Sequence, residues 1–232
     1  HIFVVEVATG AARQVTEGDW DDTQPAWSPD GQSLAFVSAR HAEREFDSAS
    51  DLWVVPATGG EARQVTTTSG ARGAPSWSPD GAKIAHIHHP DWPANGTLRL
   101  IGVDGTGETD ASGGIDREMG AGGLPGAVAQ PNWLRGGGIL TVATDRGESS
   151  LWVAGSVADG RWVAREPAMT AWYSVDRAGL RAAVVSSTQL SPAELSVVNL
   201  ETGARRQLTH FNAAWRDEVG LASAEKFVVG TA

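Results

Sequence analysis

Apolar and polar residues alternate along this chain in short runs, each closed by glycine, proline or aspartate. Ser33-Leu34-Ala35-Phe36-Val37-Ser38 and Lys83-Ile84-Ala85-His86-Ile87 are two such runs, and both follow a Ser-Pro-Asp-Gly turn. Short period-two runs bounded by turn residues predict β-strands. The turn has its own mechanism: proline presets φ, aspartate bonds back to nearby amides, and glycine takes the positive φ. Thr58-Gly59-Gly60 predicts a hairpin between Leu52-Trp53-Val54-Val55 and Ala62-Arg63-Gln64-Val65-Thr66. Helical periodicity is confined to Ala39–Phe46, inside one connection.

The pattern repeats. Pro25-Ala26-Trp27-Ser28-Pro29-Asp30-Gly31 returns 50 residues later as Pro75-Ser76-Trp77-Ser78-Pro79-Asp80-Gly81. The ending Arg-Gln-Val/Leu-Thr closes at Thr16, Thr66 and Thr209, in register with the first motif. Weaker copies fill the gap: Pro131-Asn132-Trp133 with glycines replacing the Pro-Asp turn, then Tyr173-Ser174-Val175-Asp176. The expected units are a half blade at 1–16 and four blades at about 17–66, 67–113, 114–166 and 167–209. Residues 210–232 are expected to form a linker and a new strand. Four strands per repeat predict an all-β fold, a β-propeller of four-stranded antiparallel blades forming a partial ring. Such an arc is expected to stay open, to self-associate, or to close as a smaller ring by borrowing the half blade.

Composition adds exclusions. The 232 residues contain ten tryptophans against one tyrosine, and the repeat places five of them. Trp27, Trp77 and Trp133 stand before the turn, whereas Trp53 and Trp152 share a place on the third strand. All five are expected to pack between sheets. A formal charge of −10 argues against a nucleic-acid partner. With no cysteine there is no disulfide, thiolate metal site or cysteine nucleophile. No apolar run is long enough to span a membrane. The chain opens at His1 in mid-strand and reads as a piece of a longer protein.

The Trp-Ser-Pro-Asp-Gly turn, the Leu-Trp-Val-Val strand and the Arg-Gln-Val/Leu-Thr ending together resemble the TolB/WD-like propeller repeats. These occur in TolB and in the N-terminal domain of the prolyl oligopeptidase family of serine peptidases. The tail, Leu208-Thr209 followed by Asn212 and a polar stretch, resembles the exit from propeller to hydrolase domain in acylaminoacyl-peptidase-like enzymes. That resemblance implies an α/β-hydrolase domain of the same polypeptide, carrying a Ser-Asp-His triad, with the propeller filtering short peptides by size. It also implies a usual complement of seven blades and a cytoplasmic location. A TolB-like scaffold for protein–protein binding, which would be periplasmic, is the alternative. A free-standing small propeller with sugar or peptide affinity is a third.

No catalytic residue is expected within this chain. The nucleophile elbow Gly-x-Ser-x-Gly is absent; Gly147-Glu148-Ser149-Ser150 and Gly155-Ser156-Val157 both fail it. His86, His88 and His89 with Asp91 are the densest set of metal-ligating types, but His-x-His alone is weak, and the stretch is weighed as a solvated connection. Asp19, Asp21 and Asp22 lack the glycine and distal glutamate of a calcium loop and read as an acidic surface loop. No cofactor or metal is expected. The glycine-rich insert from Gly113 to Gly126 surrounds Asp116-Arg117-Glu118-Met119, and Arg117 is its candidate for substrate gating.

Overall fold

The turns form as their chemistry predicts. In the computed structural model, which describes residues 1–90, 94–120, 129–155, 160–165, 168–223, 225 and 227, the Ser28 hydroxyl donates to Asp30 Oδ1 at 2.6 Å. It accepts the Ser33 amide at 2.9 Å, and Gly31 sits at φ 69°. Ser78, Asp80 and Gly81 repeat the arrangement. In the fourth copy one residue does the work of two: Asp176 Oδ1 accepts the amides of Leu180 at 2.9 Å and Arg181 at 3.1 Å.

Each turn joins the first two strands of a meander. The β1–β2 pair (Phe3–Val5, Ala12–Gln14) is followed by β3–β6 (Asp22–Trp27, Ser33–Ser38, Asp51–Pro56, Arg63–Gln64). Strands β7–β10 (Ala71–Trp77, Lys83–His89, Thr97–Gly102, Thr109–Asp110) form the next antiparallel sheet. The third blade pairs β12 (Asn132–Trp133), β13 (Ile139–Asp145), β14 (Glu148–Ala154) and β15 (Arg161–Val163), with β11 (Glu118–Met119) sharing the β13 edge. The fourth is β16–β19 (Met169–Val175, Arg181–Thr188, Ser191–Asn199, Arg205–Gln207). A single parallel contact, Ser149 with Met169, joins the last two blades into one sheet.

The innermost strands carry a bulge at one repeat position. Its register shifts fall between Thr23 and Ala26 and between Gly73 and Ser76, where Gln24 and Ala74 both take φ 52°. The third blade opens at that point: Gly120, at φ 76°, leaves β11, and the chain returns at β12. Strands β11 and β12 both pair with β13, and residues 121–128 of the glycine-rich insert lie outside the described residues.

Successive sheets bury their facing surfaces against one another. Four apolar clusters lie in succession between β1–β2 and blade one, and then between each blade and the next. Phe36, Leu52, Ile84, Leu98 and Leu140 are fully enclosed within them. Three repeated hydrogen bonds reinforce these contacts. The hydroxyls of Thr16, Thr66, Ser112 and Thr209 accept the amides of Ile2, Leu52, Leu98 and Leu195, always 14 residues earlier. Arg13, Arg63 and Arg161 donate to the carbonyls of Ala57, Val103 and Leu200 in the following blade. The indoles of Trp77 and Trp133 donate back to Ala26 and Ser76. Trp152 is buried as expected, whereas Trp27 is 51% exposed.

Two local expectations change. Residues 39–46 form turns and no helix. The helix among the described residues is α1, Ala213–Val219, which buries no side chain and ends at Gly220 in the left-handed region. The tail therefore opens with a helix, and most of the expected strand falls outside the described residues.

The threonine clamp generates a test. Replacing Thr66 by valine removes the acceptor for Leu52 and the donor to Asp51 Oδ1, both buried. It should cost about 1–3 kcal/mol, read as a lower urea midpoint with unchanged slope.

Candidate functional site

The starts of the first strands and the ends of the fourth, together with the connections between second and third strands, gather at one end of each blade. The repeat makes departures visible. The residue two places beyond the buried Ser38, Arg40, corresponds in the third blade to Asp145. Arg40 lies 4.5 Å from the Trp53 ring centroid and 5.3 Å from that of Phe36, and donates to Asp22 Oδ1 at 2.8 Å. Trp20 also faces Arg40, at 6.0 Å.

In the third blade the charges are exchanged. Arg117, at the position of Trp20, donates from Nε to Asp145 Oδ1 at 2.7 Å, and Arg165 binds Asp145 Oδ2. The hydrogen bond from Arg117, joined by the charges of Arg117, Arg165 and Arg146, holds the Asp145 carboxyl below its ordinary value. Arg165 stacks 4.9 Å from the Trp162 ring, which meets Trp152 edge-to-face at 5.1 Å. The Arg117 and Arg165 side chains each remain 45% exposed. Two guanidinium groups on one carboxylate leave a cationic locus open to solvent. Its chemistry suits an anionic group of a ligand, through bidentate arginine geometry.

A second polar cluster lies on the face of blade two turned towards blade one, with Arg72 and His86 buried and Glu108 partly open to solvent. Arg72 pairs with Glu108, and His86 Nε2 lies 3.2 Å from the same carboxylate. His86 is fully buried, and His88 Nε2 meets the Ser69 carbonyl at 2.7 Å. Burial pushes the His86 pKa down, outweighing the pull of Glu108. The His86 hydrogen bond and the Arg72 charge, against the cost of burial, bring Glu108 down to about 2.

These placements revise the reading of the histidines. His86 and His88 do share a face of β8, but it is an enclosed face and no solvated connection. His89 faces elsewhere, 3.6 Å from Glu118. Asp91 lies outside the described residues. Among the described residues no group of three or more His, Asp or Glu side chains is arranged to hold a metal ion. Asp22 is buried against Arg40, apart from Asp19 and Asp21, which line an open cleft of about 460 Å³ beside Trp20. Ser149, in the failed elbow string, exchanges hydrogen bonds with the backbone of Thr170. The equivalent Ser50 does the same with Arg72, so this serine is a blade-to-blade staple.

Arg117 was visible in the sequence, but Asp145, Arg165, Arg72 and Glu108 were not. The available signal was a break in the repeat, an aspartate where Arg40 stands in blade one.

The family model described as the TolB beta propeller domain matches residues 1–95. An uncharacterized peptidase of Bacillus subtilis, YuxL, is 42% identical over 43 residues, which are 18% of this chain and 6% of that protein. The acylaminoacyl peptidase of Pyrococcus horikoshii superposes with a TM-score of 0.68 at 19% identity, over 94% of this chain and 31% of its own. TolB from Acinetobacter baumannii gives 0.66 at 17% identity, over 89% and 48%. The chain thus spans less than half the length of each of these proteins. At such identities the likeness to the solved structures is one of fold: a β-propeller with TolB-type repeats. Among the described residues no helix is long and apolar enough to cross a membrane.

The buried cluster predicts an acid-sensitive interface. The folded-state pKa of His86 lies below its ordinary 6.5, so the unfolded chain takes up the proton first. Stability should then begin to fall below about pH 6.5. The folded-state pKa of Glu108 lies near 2 against an ordinary 4.5. Its contribution is complete above about pH 4.5 and is lost progressively below it. With its side chain 31% exposed, Glu108→Gln should cost only about 1 kcal/mol near neutrality and flatten the decline between pH 4.5 and 2, measured as urea midpoints across pH.

Proposed function

We propose that this chain is the non-catalytic propeller of an acylaminoacyl-peptidase or prolyl-oligopeptidase-like serine peptidase. In this reading it gates the access of short peptides to an α/β-hydrolase domain carried elsewhere on the same polypeptide. The observation that favours it is the pairing of two likenesses. The acylaminoacyl peptidase fold matches almost the whole chain but under a third of that enzyme, and a stretch of 43 residues is 42% identical to an uncharacterized peptidase.

The site chemistry is compatible with that role. Ser149, in one of the two near-elbow strings, is spent on a blade-to-blade staple, and Ser156 lies outside the described residues. Arg117 and Arg165 could meet the carboxylate end of an entering peptide. Residues 210–232 would lead towards the hydrolase domain, anchored at their start where Glu194 accepts the Asn212 amide at 2.9 Å. The compartment we assign is the cytoplasm. Self-association through the outer blade faces is compatible with the 56% exposure of Phe3.

The deciding experiment is to read the coding sequence past Ala232 and assay the full-length product on acyl-peptide and dipeptide chromogenic substrates. The proposal expects a Gly-x-Ser-x-Gly domain and cleavage that a serine-directed inhibitor abolishes. In that enzyme Arg117→Ala should raise KM for short peptides about two- to fivefold with kcat kept, the worth of an exposed charge contact. The match to the TolB family model favours a second reading, a periplasmic binding scaffold. A stop codon soon after Ala232 without activity, and a partner protein retained in pull-down, would establish it instead.

A further inference from the structure

The fourth blade lacks a side chain that two others have. One position, midway along the third strand, holds Trp53 in blade one and Trp152 in blade three, each paired across to the second strand at Phe36 and Thr141. By the same register blade four holds Ser196, opposite Val184. The tryptophan requires a small neighbour on the outer strand. At Gly160 a Cβ would lie 1.9 Å from the Trp152 ring, and in blade one the neighbouring place is taken by Ala62, packed in the same cluster as Trp53. Blade four reverses both choices. Arg205 occupies the place of Ala62 and Gly160, paired with Val198, and reaches the Ser186 hydroxyl.

The exchange replaces an indole and a small residue by a serine and a guanidinium, and leaves a cleft of about 370 Å³. Its wall is polar: Ser186, Thr188, Ser191 and Ser196, with Arg205 and Arg216. Arg216 comes from the exposed helix α1 and forms no ion pair with any described carboxylate. The acid in the wall, Glu194, is engaged elsewhere. It accepts from the Thr209 hydroxyl and from both the amide and side chain of Asn212, at 2.9 and 3.0 Å. The Arg216 guanidinium among hydroxyl donors, with the Glu194 carboxylate committed, matches the needs of a carboxylate.

We propose that this cleft in the fourth blade binds a small carboxylate-bearing ligand, with Arg216 as its charged contact and the hydroxyls as orienting donors. The carboxylate can be the C-terminus of a short peptide or belong to a free organic acid. The site is independent of the peptidase reading, because it is tested by binding to this chain and not by hydrolysis.

Calorimetric titration of the full chain with triglycine, triglycine amide and succinate separates the sources. Binding of triglycine alone assigns a peptide C-terminus; binding of succinate as well assigns the carboxylate itself. Arg216→Gln, on an exposed helix side chain, should weaken binding about tenfold or more, the loss of one charge-assisted hydrogen bond. Ser196→Trp combined with Arg205→Ala rebuilds the blade-one arrangement and should abolish binding while circular dichroism stays unchanged. Failure of every probe to bind at millimolar concentration overturns the proposal. So does equal binding of triglycine and its amide, or affinity unchanged by Arg216→Gln.

Discussion

A four-stranded sheet of this size cannot shield either of its own faces, and the contact of one blade with the next is the constraint on which the rest of the molecule depends. Each of the four apolar clusters belongs to a pair of blades rather than to one blade. Burial of this kind is not directional and would tolerate sliding. The repeated hydrogen bonds remove that freedom. An arginine reaches forward to a fixed carbonyl, an indole reaches back to another, and a serine staples neighbouring strand ends. Apolar area supplies the stacking energy, and these bonds set the angle and height at which it is collected.

The division explains what was legible in the sequence. Turns are local, so Ser-Pro-Asp-Gly announces its strands before any neighbour is known. Strand number and blade type follow from the spacing of those turns. The roles of the repeated Arg and Thr are less accessible. Thr66 acts 14 residues away, within its own blade, and Arg63 acts 40 residues away, in the next. The sequence displays their recurrence without their partners. The candidate site was the least legible part. Arg117 drew notice through its glycine-rich surroundings, but Asp145 sits in an ordinary strand and gains meaning only by standing where Arg40 stands. His86 was misread because a histidine in strand register looks the same whether its face is open or covered by another blade.

Departures from the repeat are informative for the same reason. At a position whose side chain fills the space between blades, any change must be matched by a neighbour, since interiors are close-packed. Trp152 with Gly160 and Ser196 with Arg205 are two solutions of one packing problem. The first is dry and full, and the second is polar and leaves room. Arg40 among aromatic rings and Asp145 between arginines are likewise alternative fillings of one place. Stability alone does not ask for the polar version, because a tryptophan in that space buries more apolar surface. Polar fillings therefore mark where blades two, three and four depart from the packing of blade one, and the two arginine pairs, Arg117 with Arg165 and Arg205 with Arg216, are confined to blades three and four.

Electrostatics gives that confinement a direction. The chain carries a formal charge of −10, so its long-range field repels anions. Arg117, Arg165, Arg205 and Arg216 nevertheless lie at the loop end of blades three and four. At physiological salt the screening length is about 8 Å, so a small ligand inside a cleft responds to the arginines, whereas a large polyanion must also face the acidic body. Such an arrangement would favour a short chain bearing one carboxylate over an extended anionic polymer, by size as well as by charge. That selectivity is what the proposed role as a filter for short peptides requires, and its physical source would be two clusters of arginine set in an acidic propeller.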